Sequence, residues 1–139
     1  CHGVSEPDDP SGARLLVHDH REHPLTVRHI SRLELPGARL AVLSACETAR
    51  GSERLADESI HITSAFQTAG YPHAIGTLWP VHDAVAVRVT RALYGGMCDA
   101  LSASAELDAA LALHHAVREC RAAFPGSPSL WAAHVHSGA

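Results

Sequence analysis

Two runs of the sequence restrict the fold most: Arg39-Leu40-Ala41-Val42-Leu43-Ser44-Ala45 and His73-Ala74-Ile75-Gly76-Thr77-Leu78-Trp79. Both have strand length, and both lack the polar-apolar alternation of a strand that keeps one face wet. Continuous apolar runs of this kind belong to strands covered on both faces, as in a parallel sheet carrying helices on either side. Pro36-Gly37 precedes the first run and Pro80 stops the second. Between them Ser52 can cap a helix whose Leu55, Ile62, Phe66 and Ala69 fall on one stripe, closed by Gly70 and Pro72. Strand, helix, strand in this order implies a right-handed crossover.

The flanking segments extend the pattern. After a polar loop from Glu6 to Gly12, Arg14 to Val17 reads as a short strand, and Leu25 to Leu33, with Val27, Ile30 and Leu33, as a short helix. Asp83 can cap a third helix in which Val85, Val89 and Leu93 recur until Gly95-Gly96. A fourth helix is expected over Glu106 to Ala123 with Leu107, Leu111 and Val117 inward, ended by Pro125-Gly126; Trp131 to His136 is a last strand. The whole predicts an open, mainly parallel α/β sheet.

Composition narrows the function. With 139 residues, 46% hydrophobic and 19% charged, the chain has the size and balance of one globular domain. No run approaches the roughly 18 to 20 apolar residues of a membrane span, and no signal peptide stands at the N-terminus, so a soluble, cytoplasmic protein is expected. The net charge is -4 and the eleven basic residues, all Arg, are scattered, which argues against direct nucleic-acid binding. Cysteines at 1, 46, 98 and 120 form no CxxC pair and read as reduced thiols.

Open parallel sheets bind ligands at the carboxyl ends of their strands. Cys46 stands where the first apolar run ends, and His2 would reach the same edge if a strand delivers Cys1-His2-Gly3. A thiol beside an imidazole suits nucleophilic catalysis, because the thiolate attacks and a neighbouring imidazolium lowers its pKa. The N-H groups of Gly3 and Cys46 can then face a developing oxyanion. A cysteine at a strand end also serves as plain core packing, and spacing alone leaves both roles open.

The motifs decide further. "CHG", "RLLVHDH", "PLTVRHISRLEL", "LSACETARG", "LADESIHITSAFQTAGYPHAIGTLWPVHDAVA" and "SLWAAHVHSG" resemble, jointly and in order, the CHAT domain family. These are caspase-like cysteine peptidase domains of bacteria, often found downstream of tetratricopeptide repeats. The resemblance covers essentially the whole chain. It implies an α/β, three-layer α-β-α sandwich with a mainly parallel sheet, the family's N-terminal strands missing, so that residues 1–139 form a single partial CHAT domain. It implies His2 as general acid/base, Cys46 as nucleophile, and Gly3 and Cys46 as oxyanion donors, with no acidic third member and no cofactor. The expected activity is cysteine endopeptidase cleavage of a protein substrate through a Cys-His dyad and a thioester, in a parent chain carrying tetratricopeptide repeats. The 139 residues alone are expected to be inactive or poorly folded. The alternative is a caspase-like scaffold or interaction module without activity.

By topology, the segment after the second buried strand lines the pocket for the residue before the scissile bond in caspase-like folds. That assigns Trp79, Pro80 and Asp83 to its wall, with Asp83 favouring a basic residue. Equally, Asp83 can be a helix cap and Trp79 core. Glu47, beside the nucleophile, shapes its loop, and Glu58 reads as a solvated helix charge. Twelve histidines raise a metal question, the best cluster being His18, His20 and His23, but neither HExxH nor CxxC occurs and no metal site is expected. The loop histidines read as surface groups, and His114 as facing the core.

Overall fold

The structure, a computed structural model, describes residues 2–4, 10–43, 55–102 and 108–138, with the backbone alone for 2–4, 10 and 55–61. Two three-stranded sheets form. The first, ordered β1-β2-β3, contains β1 (His2–Val4), β2 (Arg14–Leu16) and β3 (Leu25–Thr26), antiparallel throughout. The second, ordered β4-β5-β6, contains β4 (Leu40–Val42), β5 (His73–Thr77) and β6 (His134–Gly138). β4 and β5 run parallel with Leu40 opposite His73 and Val42 opposite Ile75, while β6 returns antiparallel with His136 opposite Ile75.

The expected mainly parallel sheet is therefore corrected. Among the described residues the one parallel pairing is β4 with β5, joined through helix α2 (Leu55–Thr68). That unit is the crossover the two apolar runs predict, because parallel strands need a long connection. The first sheet is linked by connections short enough for antiparallel return. The last strand enters from the opposite direction after helix α5 (Pro128–Trp131), which takes Trp131 out of the expected strand.

Two cores hold these elements. In the larger, Ile75 of β5 meets Val85, Val89, Leu93 and Met97 of α3 (Asp83–Ser102) and Leu113, Ala116 and Cys120 of α4 (Ala109–Ala123). In the smaller, Leu15 of β2 packs with Ile30 of α1 (Val27–Ile30) and with Ala65 and Ala69 of α2. α2 thus ties the sheets together: on its other side the Thr63 methyl closes on Gly76 of β5, where an added Cβ would lie 3.0 Å away. Helices consequently pack on both faces of the β4-β5-β6 sheet, which explains the unbroken apolar runs.

Several helix limits depart from expectation for packing reasons. α3 runs straight through Gly95-Gly96, both exposed, since Met97 continues the buried stripe of Val85, Val89 and Leu93. That contact outweighs the roughly 1 kcal/mol each glycine costs a helix. α4 starts at Ala109, where the Asp108 carboxylate caps it by accepting from the Leu111 N-H at 2.8 Å. Its inward stripe is Ala109, Leu113, Ala116 and Cys120, which turns Leu111 outward at 50% exposure and leaves His114 exposed as well, correcting both inward assignments. Leu107 lies outside the described residues. Gly70 has φ +109° beneath the Leu35 carbonyl, a backbone conformation that suits the glycine expected to close α2.

Candidate functional site

One half of the expected dyad stands on a strand, and the other follows a strand in the sequence. β1 carries His2 and Gly3, paired with Leu16 and Leu15 of β2 respectively. Leu15 is buried in the smaller core, so β1 is anchored through its cross-strand neighbour. Among the described pairings β1 belongs to the first sheet and not beside β4. On the other side, β4 runs toward Cys46, and the Leu43 N-H extends its ladder by donating to the Ile75 carbonyl at 2.8 Å. Cys46, Glu47 and Thr48 lie outside the described residues, as do the side chains of His2 and Glu58.

Because β4 and β5 are parallel, their carboxyl ends share one sheet edge. Leu43, after β4, and the segment Leu78-Trp79-Pro80, after β5, therefore lie at the same edge of the sheet. The Leu78 N-H donates to the Ala133 carbonyl at 2.8 Å, holding this exit against the segment before β6. Trp79 is half-buried against the larger core, and its indole N-H donates to the Ser129 carbonyl at 2.8 Å. Pro80 is exposed. Asp83 is exposed on the first turn of α3, where a carboxylate complements the positive helix end. The residue before the helix is His82: its carbonyl accepts from the Ala86 N-H at 3.0 Å and its Nδ1 from the Ala84 N-H at 3.4 Å.

The histidines sort by burial. His18 and His23 are exposed; His20 is half-buried and its Nδ1-H donates to the Val17 carbonyl at 2.7 Å. The unforeseen group lies across β5 and β6, where His73 Nδ1 and His136 Nε2 stand 3.2 Å apart with their rings tilted by 36°. The alternation His134-x-His136 signals two residues on one strand face, but only the β5–β6 register brings in His73. His134 shares that face, and its Nδ1 is buried without a hydrogen-bond partner. Among the described residues no group of three or more His, Cys, Asp or Glu side chains could hold a metal ion, and no helix is long and apolar enough to cross a membrane.

Burial pushes the pKa of His134 below its ordinary value, with the Trp131 backbone pulling the other way. Burial, then the charge of His73, lowers that of His136, opposed by the Asp108 carboxylate. Both rings thus favour the neutral form in the folded chain, while the unfolded chain takes up protons near the ordinary pKa of about 6.5. The unfolded state then binds more protons as pH falls through that value, so these groups make stability decline toward acid. Urea midpoints measured from neutral to mildly acidic pH are expected to fall. The fall is expected to be shallower in the His134→Gln/His136→Gln variant; equal slopes would contradict it.

The CHAT domain family model matches residues 1–139, and the chain belongs to that family. A search of curated proteins finds no match.

Proposed function

We propose, from the chain's place in the CHAT domain family, that it carries the Cys-His site of a caspase-like cysteine endopeptidase acting on protein substrates. The observation that carries this reading is the family match over residues 1–139, a span that includes His2-Gly3 on β1 and Cys46 after β4. The Cys46 thiolate attacks the scissile carbonyl carbon and forms the C-S bond. The N-H groups of Gly3 and Cys46 bind the oxyanion of the tetrahedral intermediate. Its collapse breaks the C-N bond as His2, in its imidazolium form, gives a proton to the leaving amine. Neutral His2 then takes a proton from water, which attacks the thioester; the C-S bond breaks, and the acid product and the Cys46 thiolate are released. Trp79, Pro80 and Asp83 line the pocket for the residue before the scissile bond, with Asp83 selecting Arg or Lys by charge. The parallel pairing of β4 and β5 supports this, since Leu43, three residues before Cys46 in the sequence, and the Trp79 segment follow the same ends of adjacent strands.

The test is digestion of an unfolded protein by the full-length protein. Alkylation of its thiols is expected to stop cleavage and a metal chelator to leave it unchanged. Saturable binding of the unfolded protein with no cleavage would instead establish the scaffold reading.

A further inference from the structure

The first sheet buries Leu15 on one face and leaves Arg14 and Leu16 half-buried on the other. Leu15 points into the smaller core, so strand alternation turns its neighbours Arg14 and Leu16 to the outer face. There, with His20, Arg21 and Pro24 of the following loop, they line a surface cavity of about 470 Å³. The polar part of this lining, among the described residues, is two guanidinium groups and an imidazole, with no carboxylate. Leu16 and Pro24 supply apolar wall.

One atom of a lining residue is in an unusual state. Arg14 Nε is shut off from solvent and has no hydrogen-bond partner among the described residues. A buried donor left unmade costs about 1–3 kcal/mol, more for a charged group, so the Arg14 guanidinium meets the cavity through its terminal nitrogens while its Nε stays unmatched. His20 is already oriented, because its Nδ1-H is committed to the Val17 carbonyl at 2.7 Å. Its Nε2 remains as the ring's other polar atom. The cavity therefore combines two guanidinium groups and a fixed ring in a space large enough for a side chain. Its position links it to the proposed chemistry: in the β1–β2 register Leu16 is the partner of His2, and Arg14 that of Val4.

We propose that this cavity is a subsite for an acidic side chain, Asp or Glu, of the polypeptide substrate, held by Arg14 and Arg21; the assignment to a substrate rests on the peptidase reading. A planar guanidinium matches a carboxylate with paired N-H donors, and an amide of the same shape offers one acceptor in place of two. Asp83 and this cavity have opposite sign, so the preferred substrate carries both a basic and an acidic residue. Free phosphate presents similar oxygens to the same donors, and the experiment separates the two.

Binding is measured on the full-length protein carrying Cys46→Ala, which is expected to hold substrate without consuming it. The probes are acetylated peptides containing Asp or Glu, the same peptides with Asn or Gln, and inorganic phosphate alone. Acidic peptides are expected to bind at least tenfold more tightly than their amide counterparts. Arg14→Gln and, separately, Arg21→Gln are expected to remove that preference, and Arg118→Gln, an exposed cation on α4, to retain it. Equal affinity for acidic and amide peptides overturns the subsite, as does Arg14-dependent binding of phosphate without a carboxylate preference. The peptidase reading is judged separately, by cleavage in the unmutated chain: a carboxylate preference without cleavage keeps the subsite and rejects the peptidase, and cleavage without the preference does the reverse.

Discussion

Replacing Cys46 with Ala is expected to abolish peptide-bond cleavage by the full-length protein, lowering kcat by about a thousandfold or more. The loss is large because no other described thiol is placed to take over. Cys98 is exposed on α3, and Cys120 is buried among the residues packed by α3 and α4. Burial also pushes the Cys120 pKa up, against the pull of Arg88, which keeps that thiol protonated and a poor nucleophile. The Cys46→Ala chain is expected to unfold at the same denaturant concentration as the parent, so that the loss reads as chemistry. Cleavage within tenfold of the unmutated chain would exclude Cys46 as nucleophile.

The largest effect on stability is expected at Leu93. It is 1% exposed at the centre of α3, in the core that also holds Ile75 of β5 and Leu113 of α4. Leu93→Ala removes buried methyl groups and leaves a cavity, a change that costs about 3 kcal/mol in well-packed cores. Spread over a chain of this size, that lowers Tm by about 10 °C. Val87→Ala on the same helix, at 56% exposure, is expected to change stability by no more than about 0.5 kcal/mol. Thermal unfolding of the two variants side by side tests the assignment; equal shifts would mean that the packed face of α3 has been misassigned.

What the sequence made legible was the set of features dictated by local chemistry. The runs at Leu40 and His73 announced strands covered on both faces, and helices do lie on both faces of β5, with Thr63 against Gly76 on one side and Leu93 near Ile75 on the other. What remained hidden was direction. Nothing in "HVHSG" tells a parallel from an antiparallel partner, because the alternation of side chains is the same in both. β6 therefore came out reversed, and with it the His73–His136 pair. Helix punctuation misled where packing overrode propensity, at Gly95-Gly96, and where a helix turned by part of a turn, at Leu111 and His114. Of the candidate site, His2 and Gly3 stand on β1, while Cys46 lies outside the described residues. The Arg14 cavity had no sequence signal, since Arg14, Leu16 and Arg21 meet only once β2 and its loop are folded.

The most direct measurement is labelling of the full-length protein with a peptide carrying a thiol-reactive electrophile at its carboxyl end, at substoichiometric concentration, with the adduct located by mass spectrometry. The account predicts a single adduct on Cys46, strongly reduced by His2→Ala, with Cys98 and Cys120 unmodified. Labelling of the exposed Cys98 at the same rate as Cys46, or labelling of Cys46 unaffected by His2→Ala, would contradict a Cys-His site.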